Sequence, residues 1–454
     1  MSSEDVIPVV IVGAGAAGMI AAMSLSAAGH PAVILEKSLR VGCNAQFSGG
    51  LIQGSGTRFQ AESDIEDSPS RHYADLMAQN KGVADAAIVE MVARRSADVI
   101  HFLVDSMGLK MHLDTSVLYS GHSTYRMHAM ASETGDELVR EMRARMRDDE
   151  LIDLVDGAEV LDVVPEGDLL RVTFAQDDAT ESILAEHVIL ASNGFGANRD
   201  MVRRYIGEAV AELPYWGSEN SDGRGIEIGM RLGAGTAYMT AYEGHSHLNP
   251  KYGTRMGGAL PALGSIIVGS DGRRFAPEDT TNSGFSRFMI PLPGSEAVEI
   301  YDDRVHSAAL RNGAYEEAWT VGAVRRFDSL EELADAFALP ADAVADEVAR
   351  FNAAAGSDVD ELGRKATTRV PLAAPFYGAR VSAGVIHTQG GLTVDTGCRV
   401  VTVDGAVVPG LYACGGVAAG ISGTGVDTYL PGNGLTHAFT TGLVASEHVA
   451  ARLS

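Results

Sequence analysis

Gly13-Ala14-Gly15-Ala16-Ala17-Gly18 sets three glycines at G-x-G-x-x-G spacing, directly after the apolar run Val6 to Val12. Glycines so spaced turn a strand sharply into a helix and let backbone N–H groups approach an anionic diphosphate. Gly13 permits the turn, Gly15 the close approach, and Gly18 the packing of helix on strand. The helix then presents free N–H groups and its positive dipole end, with Ala17 in its first turn. A second apolar run, Ala32 to Leu35, ends in Glu36, placed to accept hydrogen bonds from a ribose. The chemistry implied is dinucleotide binding, and this motif alone does not separate FAD from NAD.

Further chemistry lies along the chain. Tyr119, His122, Tyr125, Arg126 and His128 form a polar aromatic cluster between two helical stretches, either lining a pocket entrance or forming a solvated loop. His245 and His247 are two residues apart. No third ligand has helpful spacing, so no metal is expected. His387 sits in Gly384-Val385-Ile386-His387-Thr388-Gln389-Gly390-Gly391, and a histidine suits donation to a carbonyl or enolate oxygen. Tyr429 precedes the turn Leu430-Pro431-Gly432-Asn433-Gly434. Cys43, Cys398 and Cys414 lie far apart and include no C-x-x-C pair, so neither a disulfide framework nor a metal cluster is implied.

The elements that position these residues follow from pattern. The glycine motif stands between two strands and opens an Ala-rich helix stopped by Gly29, which makes a βαβ unit. Ala84 to Met107 and Ser132 to Arg147 have the length and apolar spacing of helices. Ala158 to Val164, Leu169 to Phe174 and Glu181 to Ala191 read as strands with polar turns. Ser329 to Phe337 and Pro340 to Ala355 read as a helical pair, with Ser329-Leu330-Glu331-Glu332 fitting a capping box.

Composition narrows the rest. The 454 residues carry 35 Lys plus Arg against 60 Asp plus Glu, a formal charge of -25. That sign excludes phosphate-neutralising contact with nucleic acid and attraction to anionic membranes. A hydrophobic fraction of 46% is that of a folded chain, and the length implies two or three domains. No apolar stretch reaches the ~18 residues of a spanning helix. The start, Met1 to Ile7, is short and acidic and lacks the features of a secretory signal. A cytoplasmic location is the expectation.

Glu36-Lys37-Ser38-Leu39-Arg40-Val41-Gly42-Cys43-Asn44-Ala45-Gln46-Phe47-Ser48-Gly49-Gly50 resembles the flavoprotein superfamily of fumarate reductases, succinate dehydrogenases and 3-ketosteroid dehydrogenases. That family has Glu-Lys, a Gly-Gly-Asn and a small-residue run at this place. Ala191-Ser192-Asn193-Gly194-Phe195 is similar to its Ala-Thr-Gly-Gly-Phe, with Asn193 departing. Ser221-Asp222-Gly223 resembles its Gly-Asp-Gly, where the acid meets the flavin side. Gly410 to Gly416 resembles its Gly-Leu-Tyr-Ala-Ala-Gly-Glu, with Gly416 replacing the acid. Pro431 to Leu435 opens a last helix whose N–H groups would meet the flavin ring and stabilise its reduced form. This second glycine-rich element, about 400 residues after the first, favours FAD over NAD. Covalent members carry a histidine in the early segment. None occurs here, so non-covalent FAD is implied.

The resemblance spans nearly the whole chain. It implies an α/β fold: a Rossmann-like FAD-binding domain, a parallel sheet with a small β-meander, and an inserted α+β cap. The FAD domain would occupy 1–240 and 388–454, and the cap 241–387. Cofactor contacts are expected from Gly13, Gly15, Ala17, Gly18, Glu36 and Lys37, then Asn44, Ala45, Ser48, Gly49 and Gly50. Val160, Ala191, Ser192, Gly194 and Asp222 follow, with Gly415, Gly416, Asn433, Gly434 and Leu435 from the C-terminal part.

Family members move a hydride between flavin N5 and a carbon β to a carbonyl or carboxylate, with a proton moving at the neighbouring carbon. Fumarate reductases place their proton-donating arginine seven residues after the phenylalanine that matches Phe275, where this chain has Asn282. Their carboxylate-clamping arginine falls at Tyr429. Both dicarboxylate partners are therefore missing. Arg255 and Arg287 lie nearby in sequence and could substitute for the clamp, the alternative being surface or cap residues. Ketosteroid dehydrogenases place a tyrosine at the Tyr429 position, which polarises a ketone with a backbone N–H, here that of Gly434. They also have a tyrosine base where Asn282 stands. His387 and His245 match substrate-binding histidines of fumarate reductases. Tyr429, His387, Tyr119 and Tyr125 are the candidates for proton transfer, and His245, Asn282 and Gly434 for substrate contact.

Three readings follow. The first is α,β-dehydrogenation of a ketone, or the reverse enone reduction, with Tyr429 and His387 on the oxygen. The second is fumarate-type reduction of an α,β-unsaturated carboxylate. The third is a flavoprotein subunit that only passes electrons on. Electrons would leave to oxygen, a quinone or a soluble carrier.

Overall fold

A computed structural model describes residues 6–257 and 260–453. Met1 to Asp5, most of the acidic start, lie outside the described residues. The apolar run Val6–Val12 forms the expected strand and pairs in parallel with Ala32–Glu36 on one side and Ala179–Leu190 on the other. Ile152–Asp156 and Val407–Ala413 extend this sheet in parallel at its two sides. Its order is Arg399–Val401, Val407–Ala413, Ala179–Leu190, Val6–Val12, Ala32–Glu36, Ile152–Asp156. Strands buried on both faces need continuous apolar runs rather than alternation, and Val9, Val10 and Ile11 are fully buried. Ala158–Glu166 and Leu169–Gln176 form the antiparallel meander that returns into Ala179–Leu190. The fold is the expected α/β class, a parallel sheet with a small meander.

The glycine turn is rigidly specified. A Cβ on Gly18 would stand 2.0 Å from the Gly13 carbonyl oxygen, and one on Gly13 2.8 Å from that of Ala191. Gly13 also has a φ of +103°, which an L side chain disfavours. The helix Ala16–Ala27 is crossed by the C-terminal helix Asn433–Leu453, where a Cβ on Gly442 would meet the Ala17 carbonyl oxygen at 2.4 Å. The backbones touch there, so the two glycine-rich elements are locked together.

A second, all-antiparallel sheet has the order Thr254–Arg255, Tyr242–Asn249, Phe376–Thr388, Glu296–Asp302, Ile266–Val268, with Val324–Phe327 also on Phe376–Thr388. Leu330–Phe337 and Ala341–Ala353 cover it over a core of Ile266, Val298, Leu333 and Phe351. Ser329 caps the first of these helices, but Glu332 reaches back to Asp328 N–H instead of the cap residue, so the expected box is one-sided. The helix expected from Ser132 starts at Gly135, because Thr134 takes the cap position and accepts from Glu137 N–H. The helix expected over Ala84 to Met107 runs from Ala86 to His101 and finishes in a wider turn, Phe102–Ser106.

Candidate active site

Two cavities share Gly15, Cys43, Ala191 and Asn193 and so form one bent channel along the glycine turn. The shorter arm is lined by Gly13, Glu36, Lys37, Val160, Ser192 and Asp222. Glu36 already accepts from Ala14 N–H at 2.6 Å and Ser38 N–H at 2.9 Å, which fixes its carboxylate at the wall. Lys37 binds Glu159 at 2.9 Å and Asp222 at 3.1 Å. Asp222 also accepts from Arg224 N–H, so it orders the turn before Arg224–Arg231. It lines the same arm as Glu36 and Lys37.

The longer arm is lined by Gly15, Ala17, Asn44, Ala45, Ser48 and Gly49 from the early part of the chain and by Gly415, Gly416, Gly434 and Leu435 from the C-terminal part. Four residues expected on this route lie behind it. Gly18 and Gly50 serve close packing, Gly50 against the Thr134 backbone. Gly194 packs against the Thr388 hydroxyl. Asn433 accepts from Gln53 at 3.1 Å and donates to Ser422 at 3.1 Å. Ser422 in turn holds Gln389, whose amide nitrogen lies 3.0 Å from Nδ1 and 3.3 Å from Nε2 of His387. Asn433 therefore braces His387 from a distance.

The channel fits FAD on its own features. A Cβ on Gly15 would find only Cys43 Cβ, at 3.9 Å, so the backbone there is open to a ligand. Ser192 Oγ is buried on the channel wall without a hydrogen-bond partner among the described residues, and the His437 ring lies on the wall against the Gly415 and Ala418 backbone. Burial holds the His437 pKa at about 4, so its ring is neutral beside the helix N-terminus. An orphaned polar atom such as Ser192 Oγ is expected where a polar ligand completes it.

The longer arm also gathers Tyr429, His387, His245, Asn282, Gly434 and Tyr119, all named as candidates from the sequence. It adds Arg255, which the sequence offered as a stand-in for the missing carboxylate clamp, and Glu243, to which the sequence reading gave no part in the chemistry. Glu243 and His387 stand opposite each other on adjacent antiparallel strands, and Glu243 Oε2 lies 2.7 Å from His387 Nε2. Glu243 and His245 alternate along one strand and so share a face. That period of two was the available signal for Glu243. Tyr125 is absent from the lining. It contributes its backbone carbonyl to Gln60 at 2.9 Å. His122 points to the Pro431 carbonyl at 3.0 Å and braces the Tyr429 turn. Arg126 is fully buried between Asp67 and Asp75. Most of the 119–128 cluster is thus internal structure.

The Tyr429 hydroxyl oxygen accepts the Gly434 N–H at 3.1 Å. Burial pushes its pKa well above the usual phenol value, a shift reinforced by Glu243. It therefore stays protonated at neutral pH and acts as a donor. His245 accepts the His247 N–H on Nδ1 at 3.1 Å, which leaves its proton on Nε2. Burial first, then Arg255, drives the His245 pKa well down, so it is neutral. His247 is not its metal partner: it is bound to buried Glu299 at 2.8 Å. Among the described residues no group of three His, Cys, Asp or Glu side chains could hold a metal.

The sequence model of the FAD binding domain family matches residues 8–436. A fumarate reductase (cytochrome) of Shewanella frigidimarina is 27% identical over 461 residues, covering 98% of this chain and 77% of that protein. The open conformation of a flavocytochrome c3 fumarate reductase superposes with a TM-score of 0.82 at 24% identity, over 99% of this chain and 78% of the other. A 3-ketosteroid-Δ4-(5α)-dehydrogenase from Rhodococcus jostii RHA1 superposes with a TM-score of 0.77 at 22% identity, over 99% of this chain and 98% of the other.

Proposed function

The chain belongs to the FAD binding domain family, and from that premise we propose that it desaturates the carbon–carbon bond α,β to a ketone, or reduces the corresponding enone. It is an FAD-dependent oxidoreductase of C=C bonds. When bound, FAD supplies the hydride acceptor or donor for the β-carbon. Gly15, Ala17, Asn44, Gly415, Gly434 and Leu435 would hold it in the longer arm, and Glu36, Lys37 and Val160 in the shorter. No histidine lies in the early segment that carries covalent links, so the proposed attachment is non-covalent. Electrons pass to dioxygen, a quinone or a soluble carrier. The three cysteines are free, which suits the reducing cytoplasm proposed as its location.

One observation carries the ketone reading. The Tyr429 oxygen is occupied by the Gly434 N–H, while burial keeps the phenol protonated. Its hydrogen remains for donation, with Glu243 as the acceptor now beside it, and a neutral carbonyl oxygen of a substrate is a matching alternative acceptor. The Gly434 N–H polarises the phenol and so strengthens it as a donor. Asn282 and His245 add donors to the same wall. Proton transfer at the α-carbon falls to the His387–Glu243 pair, because Tyr429 is a poor base at neutral pH. A Tyr429→Phe protein should bind FAD normally and lose turnover by roughly tenfold or more. Unchanged ketone kinetics would remove the hydroxyl from the mechanism.

A second reading, reduction of an α,β-unsaturated carboxylate, is favoured by Arg255, which faces the same wall. The fumarate reductase of Shewanella frigidimarina supports it by name.

A further inference from the structure

Arg255 lies on the short strand Thr254–Arg255, paired with Tyr242–Asn249, and lines the cavity that holds Tyr429 and His387. Its guanidinium makes no hydrogen bond or ion pair with any described residue. The other arginine near this region, Arg287, is half exposed and already bound to Asp427 at 3.1 Å. Glu243 is the one acid on the wall among the described residues, and His387 engages it at 2.7 Å. Arg255 is thus left without a carboxylate of its own. Burial opposes its charge, and Glu243, Tyr119 and Tyr429 are near enough to offset this only in part. Uncompensated charge inside a cavity is destabilising, and a guanidinium offers a planar fork of donors matched to a carboxylate. Tyr119, His245, Asn282 and Asn312 line the same cavity and are donors too, so the cavity suits acceptor groups.

We propose that Arg255 binds a carboxylate on the substrate, so that the substrate is a small oxo-acid: one ketone set on Tyr429 and one carboxylate set on Arg255. A single free guanidinium matches a single carboxylate. This rests on the ketone reading above and narrows it. The reaction itself is unchanged. The β-carbon C–H breaks and its electron pair leaves with the hydrogen to FAD. The α-carbon proton passes to the His387–Glu243 pair, and the C=C bond forms. A dioxygen, quinone or soluble-carrier acceptor takes the two electrons.

The test uses the FAD-loaded protein under anaerobic conditions, with bleaching of the flavin band as readout. Three probes are compared: 4-oxocyclohexanecarboxylate, its methyl ester and cyclohexanone. The acid is expected to half-saturate at a concentration roughly tenfold or more below that of the ester, as for a charge-assisted hydrogen-bond pair. Arg255→Gln should raise the acid's half-saturation to that of the ester, and Arg255→Lys, which keeps the charge and loses the fork, should fall between. Equal half-saturation of acid and ester by the unaltered protein would overturn the oxo-acid assignment and leave the ketone reading standing. That comparison needs no variant, so a poorly folded Arg255→Gln does not blunt it. No bleaching by any ketone, with reoxidation of the reduced protein by crotonate, would overturn both.

Discussion

Glu243 and His387 face each other across neighbouring strands, and the contact at 2.7 Å gives the cavity a proton-handling pair. Cross-strand partners are set by register, which a sequence does not display. His387 was legible because it stands where a family run of similar residues carries a histidine. Glu243 stood beside a recognised histidine and was missed, although alternation puts both on one face. Arg255 was weighed against a surface or cap role, because a lone arginine in a glycine-rich stretch has no pattern that reports which way it faces. Tyr125 was named from a cluster whose polar members are turned inward to brace loops. Glu243→Gln keeps the shape and removes the negative charge. It is expected to retain FAD and lower turnover by about 10²- to 10⁴-fold, the usual worth of a general acid–base group. Stopped-flow reduction of the flavin measures this directly, and a rate within twofold of the original would take Glu243 out of the proton path.

At the scale of elements, the glycine turn and the C-terminal helix do the positioning. Gly18 has no space for a side chain, since a Cβ would stand 2.0 Å from the Gly13 carbonyl oxygen. Gly18→Val should therefore displace the helix Ala16–Ala27 and yield protein with little bound flavin and a lowered unfolding temperature. Flavin content by visible absorbance checks it, and full occupancy would show that the turn tolerates the shift. These elements were legible because their signals are local: a glycine spacing, an apolar run and an acid at the end of the next strand. Helix boundaries were less so. The start at Gly135 and the one-sided cap at Ser329 depend on which side chain reaches which N–H group.

For the molecule as a whole, the α/β class followed from the alternation of strand and helix patterns, whereas the strand order of the second sheet did not. Its central strand, Phe376–Thr388, joins partners far earlier in the chain, and no local pattern records that pairing. No described helix is long and apolar enough to cross a membrane. Several buried histidines tie stability to pH. Burial lowers His122, His128 and His437 from 6.5 to about 4. Between about 4 and 6.5 the unfolded chain binds more protons than the folded one, so stability is complete above that window and falls as pH drops through it. Urea midpoints should decline over this range. As the fold opens, the flavin should pass an ultrafiltration membrane that retains the protein, since its attachment is proposed to be non-covalent. A flat stability profile, or flavin retained with the denatured chain, would contradict one or other statement.

The most direct test of the ketone reading is an anaerobic comparison on the purified flavoprotein. Saturated cyclic ketones are titrated into one oxidised sample and succinate into another, while enones or fumarate are added to chemically reduced protein. Bleaching by a ketone, or reoxidation by an enone, is the expected result, and either should be slowed roughly tenfold or more by Tyr429→Phe. Reoxidation by fumarate with no response to any ketone or enone would contradict it and assign the cavity, through Arg255 and His245, to unsaturated carboxylates.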